Sequence, residues 1–162
     1  MNTQLAKNFT LDEFTRSQTA TRHNIPMHVE EGSEVYKNLS RLAGTLQLIR
    51  DHFGSVIITS GYRPLALNKR IGGSKNSAHI YGLAADIIVP GKTPFEVATW
   101  IANSSLKYDQ LIHEYGKWVH VALPHPSNYC RQQNLTAYKK PRLIGSPKTA
   151  YIKGIHKMEN LI

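Results

Sequence analysis

SAHIYGLAADI, Ser77 to Ile87, sets His79 seven residues before Asp86, with a polar loop on its amino side and the start of an apolar strand on its carboxyl side. A second histidine, His120, follows in WVHV, Trp118 to Val121. Two imidazoles and one carboxylate form the ligand set of a catalytic zinc, which takes three protein ligands and leaves a fourth position for water. A closed structural zinc site wants thiolates instead. The chain has one cysteine, Cys130, so neither a Cys-rich zinc site nor an intrachain disulfide is open to it. Taken alone, His79 and Asp86 are also compatible with a solvated loop histidine and a turn-capping aspartate.

Outward from this stretch, AADIIV, Ala85 to Val89, reads as a strand, and the loop from Asn68 to Ala78, with Gly72 and Gly73, reads as surface. VIITS, Val56 to Ser60, predicts a buried strand that delivers Gly61, Tyr62 and Arg63 to its end, where Pro64 prevents continuation. Before it, Val35, Leu39, Leu42, Leu46, Ile49 and Phe53 recur at steps of four and three, between a capping Ser33 and a terminating Gly54. That spacing predicts an amphipathic helix whose apolar stripe packs on a sheet. Thr10 with Glu13, flanked by Phe9 and Phe14, combines a capping box with a hydrophobic staple and predicts a short helix. Thr93, Pro94 and Glu96 open a second capped helix running to about Asn103. Two strands, DQLIHEY and WVHVAL, follow, joined across Gly116 and Lys117. This order predicts an α+β domain with a small, mainly antiparallel sheet flanked by helices on one face. No internal repeats or low-complexity segments interrupt it.

SGYRP, GGSKNSAHIYGLAADI and DQLIHEYGKWVHV occur in an order that resembles the M15 family of zinc peptidases. The family comprises D-alanyl-D-alanine carboxypeptidases and L-alanyl-D-glutamate endopeptidases, among them many phage endolysins. Its pattern, Ser-x-His-x-x-Gly-x-Ala-x-Asp followed by Trp-x-His or Trp-His, is filled here by Ser77, His79, Gly82, Ala84, Asp86, Trp118 and His120. The resemblance covers roughly Phe9 to Ala122. It implies the zinc D-Ala-D-Ala peptidase (hedgehog-like) fold, Zn2+ as cofactor, His79, Asp86 and His120 as its ligands, and bacterial peptidoglycan as substrate. Whether D-Ala-D-Ala or L-Ala-D-Glu is cut depends on pocket shape.

Peptide hydrolysis also needs a group that takes a proton from water and returns it to the leaving amine. Many relatives carry a glutamate in the DQLI-x-E context, which makes Glu114 the candidate; other branches place it three residues before the last histidine, where this chain has Lys117. Hairpin parity leaves a second candidate open. A two-residue turn at Gly116 and Lys117 would set His113 across from His120, whereas a three-residue loop, or a bulge at Gly116, would set Glu114 on the side of His120. Arg63 is the candidate for stabilising the oxyanion or holding a substrate carboxylate. Ser77 is read as binding substrate or orienting His79, and Asp109 and Gln110 as holding local structure.

The 162 residues, 41% of them hydrophobic, suit one domain with a real core. Lys and Arg exceed Asp and Glu by three in residues 1–128 and by six in residues 129–162, so the sequence divides into a peptidase domain and a basic extension packed on it. The extension attracts polyanions through screened, long-range forces, and LTAYKKPRLIG and AYIKGI within it each suit a short strand. Tyr129, Tyr138 and Tyr151 lie in it without any nucleic-acid motif, so no specific nucleic-acid partner is expected. The opening MNTQLAKNFTLDEF lacks a secretory apolar region and no run approaches a membrane span, which predicts no membrane insertion. The expected location is the host cytoplasm before release to the cell wall, or a virus particle. The alternative reading is a phage structural or tail protein that uses the fold to bind cell wall or neighbouring subunits.

Overall fold

The computed structural model describes residues 2–161; Met1 and Ile162, the outer bounds of the two predicted segments, lie outside the described residues. A two-stranded ribbon, β1 (Gln4–Ala6) and β2 (Phe9–Thr10), leads into α1 (Leu11–Thr15) and α2 (Gln18–Arg22). At the start of α1 the Glu13 carboxylate accepts hydrogen bonds from the Thr10 N–H at 2.8 Å and the Thr10 hydroxyl at 3.0 Å. Phe9 and Phe14 are fully buried with ring centroids 6.1 Å apart, so cap and staple both form.

Helix α3 spans Glu34–Phe53, starts at Ser33, whose hydroxyl accepts from the Tyr36 N–H at 3.2 Å, and stops at Gly54 with φ +91°. Leu39, Leu42, Leu46 and Ile49 on its stripe are fully buried, each contributing about 1.5–3 kcal/mol of apolar burial. Strand β3 (Ile57–Ser60) follows, then α4 (Leu65–Arg70), a 3₁₀ turn at Ala78–Tyr81, β4 (Ala84–Ile88), α5 (Pro94–Asn103), β5 (Gln110–Glu114) and β6 (Trp118–Ala122). Helix α5 begins at the expected Thr93–Glu96 capping box. Two more strands, β7 (Gln133–Lys140) and β8 (Lys148–Lys153), come from the basic extension.

One six-stranded sheet has the order β3-β4-β6-β5-β7-β8. Its neighbours are antiparallel except β5 and β7, which run parallel, so the sheet is mixed. Two expectations need correction. Strand β3 lies at the edge and is half exposed, with Ile57 48% accessible, because no strand among the described residues pairs with its outer side. The predicted surface loop also begins too early, since Asn68 is buried within α4.

Side chains alternate across a sheet, and here the alternation separates core from site. Ala85 and Ile87 of β4, Leu111 of β5, and Val119 and Val121 of β6 join the core with α3 and α5. Asp86, Ile112, Glu114, Trp118 and His120 take the opposite face and line an open cleft. The register places Asp86 beside His120 and His120 beside Ile112, with Trp118 beside Glu114 one step along. Among the described residues no helix is long and apolar enough to cross a membrane.

Candidate metal centre and catalytic cleft

His79 sits in the 3₁₀ turn that feeds β4. Ser77 starts that turn, its hydroxyl accepting from the His79 N–H at 3.4 Å, and Gly82 ends it at φ +70°, where a side chain would be strained. The imidazole is 1% exposed. Its Nδ1 lies 2.7 Å from the Gly61 carbonyl oxygen, which can only accept, so Nδ1 carries the proton and Nε2 presents its lone pair to the cleft.

That lone pair tests the site for a metal. Nε2 is buried, has no hydrogen-bond partner among the described residues, and faces the Asp86 Oδ1 atom at 3.3 Å. Two acceptors facing each other at this distance are unfavourable unless a cation stands between them. His120 Nδ1 approaches the same oxygen at 2.9 Å, and one donor atom from each of the three residues lies within 4.8 Å of the others. A tetrahedral zinc with bonds of about 2.1 Å spaces its ligand atoms by about 3.4 Å, so the donor set fits one ion. Burial pushes the pKa of His79 down, which favours the neutral, ligating form. Burial opposes the charge of Asp86 as well, yet the imidazoles of His79 and His120 outweigh it and hold the carboxyl below the usual carboxylate range.

Glu114 stands beside this cluster. Its Oε2 accepts from the Trp118 indole N–H at 3.0 Å, while Oε1 lies 4.0 Å from His120 Nδ1. Burial, and then the charge of Asp86, raises its pKa above the ordinary carboxylate value, the direction that suits a group exchanging protons. The hairpin reaches this arrangement through three loop residues: Tyr115 and Gly116 both have positive φ, Lys117 N–H bonds to the Glu114 carbonyl at 2.9 Å, and Glu114 pairs with Trp118. The two-residue turn, and with it His113 as proton-transfer group, is therefore incorrect. His113 pairs with Val119 on the core face, is 1% exposed, and donates through Nδ1 to the His156 carbonyl at 2.8 Å.

Arg63 reaches the cluster from the β3–α4 connection, its Nη2 lying 3.5 Å from Asp86 Oδ2. Its Nε donates to the Ser60 hydroxyl at 3.2 Å and its Nη1 to Asn68 Oδ1 at 3.4 Å. Asn68, which sequence reasoning passed over as loop, is 1% exposed and is fixed in turn by donating to the Ser74 carbonyl at 2.8 Å. Asp109 and Gln110 do hold local structure: Asp109 accepts a two-pronged bond from Arg131 at 2.8 and 2.7 Å, and Gln110 donates to Gln133 at 2.8 Å.

A family model described as Peptidase M15 matches residues 7–122. The chain belongs to the peptidase M15 family. It is a zinc metallopeptidase, and His79, Asp86 and His120 are the residues that would hold the ion. A search of curated proteins finds no match to the chain. The family match ends at Ala122, whereas the cleft runs on to Arg131, Thr149 and Tyr151 of the following segment.

Gly61 links the fold to this centre. A Cβ there would press on the Phe14 carbonyl oxygen and lie 2.8 Å from the Phe14 Cα, both backbone atoms that cannot step aside. Gly61→Ala is expected to cost about 1–3 kcal/mol by overpacking. Because the same residue's carbonyl orients His79, zinc affinity should also fall about 10–100-fold. Thermal melting and chelator competition read the two effects separately. Unchanged zinc affinity in a folded variant would remove the orienting role.

Proposed function

We propose that this peptidase hydrolyses stem peptides of bacterial peptidoglycan, as a D-Ala-D-Ala carboxypeptidase or L-Ala-D-Glu endopeptidase, and that it serves as a phage lytic or virion-associated enzyme. The observation that supports the proposal is the clustering of His79, Asp86 and His120 with Glu114 and Arg63 in an open cleft of about 980 Å³ on one side of the sheet. That space accommodates an extended, branched peptide. The chain's net charge of +9 suits a carboxylate-rich, anionic envelope.

Zinc, when bound, supplies a Lewis acid and lowers the pKa of water to about 7. Glu114, whose Oε1 faces the ligand cluster, takes the proton from the attacking water and delivers it to the departing amine. Arg63, fixed by Ser60 and Asn68, offers a positive charge to the oxygen that becomes negative as the carbonyl is attacked. A tail protein that only binds cell wall has no chemical use for Glu114 and Arg63 beside the ligands. The enzyme would meet the wall from the host cytoplasm at lysis or from the virion.

The test is release of peptides from purified sacculi, followed by mass spectrometry, with chelator and with zinc restored. Cleavage at one stem-peptide bond, abolished by chelator and recovered with zinc, is the expected result. Stoichiometric zinc without cleavage of any wall type would overturn the proposal in favour of the binder.

A further inference from the structure

Beyond the family match, Thr149 and Tyr151 of β8 line the cleft, and beside them β7 carries a cation the catalytic set does not use. Lys139 pairs with Thr149, and two residues back Ala137 pairs with both Tyr151 and Glu114. Because side chains alternate, Lys139, Thr149, Tyr151 and Glu114 all project from the sheet face that carries the cleft. Ala137, between Glu114 and Tyr151, is fully buried beneath its neighbours. Lys139 therefore stands roughly 7 Å further along the strand than the Glu114 row, about two residues of extended peptide.

Lys139 is held in place rather than waving in solvent. Its Nζ donates to Thr149 Oγ1 at 2.9 Å and lies 4.9 Å from the Tyr115 ring centroid, a cation–π contact. The Tyr115 hydroxyl meets the same Thr149 oxygen at 2.9 Å, tying β8 to the β5–β6 hairpin. No Asp or Glu occurs between Glu114 and Glu159, and among the described residues no carboxylate pairs with Lys139. The other two cleft-side cations are committed, Arg63 to Asp86 and Arg131 to Asp109. An ammonium positioned beforehand, with hydrogen-bonding capacity to spare, is built to receive an anion.

We propose that Lys139 is a substrate-binding residue that anchors a substrate carboxylate at the β7–β8 end of the cleft. The proposal rests on the peptidoglycan reading, whose stem peptides supply such groups from two sources, the free carboxylate of D-glutamate and the chain-terminal carboxylate.

The test uses the full chain loaded with zinc and three synthetic stem pentapeptides: the free acid, the form amidated at D-glutamate, and the form amidated at the terminus. Wild type is expected to show a higher KM for one amidated form, which identifies the anchored carboxylate. Lys139→Met should raise KM for the free acid about fivefold, the scale of one partly exposed ion pair. It should leave kcat unchanged and erase the difference between acid and amide, and Lys139→Arg should restore that difference. Zinc content and melting temperature serve as fold controls, because Lys139 is exposed. An acid preference that survives in Lys139→Met, or its absence in a wild type that cleaves all three peptides alike, overturns the anchor and leaves the peptidoglycan reading standing. A wild type that cleaves other peptides and none of these three overturns that reading and the anchor with it.

Discussion

Glu114→Gln is expected to lower peptide hydrolysis about 10²–10⁴-fold, the range for loss of a positioned acid–base group, while zinc content and melting temperature stay at wild-type values. The amide keeps the shape of the carboxylate and, through its own oxygen, the bond from the Trp118 indole N–H. What it cannot do is accept a proton from water or return one to the amine. Because Glu114 lies outside the group of ligand atoms, its change should act on kcat and leave zinc binding alone. Kinetics on a cleaved peptide and metal analysis of the same preparation decide the matter. Wild-type turnover in a zinc-replete Glu114→Gln would exclude Glu114 as the proton carrier. Since His113 faces the core, the search would then move to another cleft group, not to that histidine.

The resemblance already singled out Glu114, and what the structure adds is the hairpin parity, a matter of one residue. Gly116 marks the turn in the sequence, and a turn of Gly116 and Lys117 would have turned His113 toward His120. The extra loop residue is Tyr115, held at φ +56°, a conformation that bulky residues seldom adopt and that no sequence signal announced. By contrast, features set by local chemistry were legible. The capping boxes at Thr10 and Thr93, the Ser33 to Gly54 bounds of α3, and the stripe of buried Leu and Ile all depend on residues within one or two turns.

Long-range arrangement was the part that local reading missed. Nothing near Ile57 indicates that β3 lies at an edge, and nothing near Gln133 indicates that β7 joins β5 in parallel, because both depend on which strands come to lie beside them. Helix α4 is short, and its N-cap, Pro64, offers no side-chain acceptor, so the chemistry that announces a helix was absent. With α4 went Asn68, and with Asn68 the support that holds Arg63 beside the ligand cluster.

Asp86→Asn should produce the opposite signature to Glu114→Gln: zinc affinity falls at least 100-fold, since even residues that merely orient ligands are worth about 10–100-fold, and activity falls with it. Three features of the site make this the more damaging change. Asp86 supplies the only anionic oxygen of the ligand set, and an amide oxygen is a far weaker partner for a dication. Its Oδ1 is the atom that both His79 Nε2 and His120 Nδ1 face, at 3.3 and 2.9 Å, so an asparagine offering its NH2 there would occupy the two ligating lone pairs with hydrogen bonds. Its Oδ2 is also the anionic partner of Arg63, which would be left as an uncompensated cation beside the metal. The readout need not involve turnover. In wild type, zinc at 100 times its dissociation constant should stabilise the fold by about 2.7 kcal/mol through binding to the native state alone, and this appears as a rise in melting temperature. In Asp86→Asn at the same zinc concentration the stabilisation should fall to about 0.4 kcal/mol or less, while in Glu114→Gln it should persist in full. If Asp86→Asn instead kept the full zinc-dependent shift, His79 and His120 would be binding the ion without a carboxylate, and the assignment of Asp86 as the third ligand would be lost.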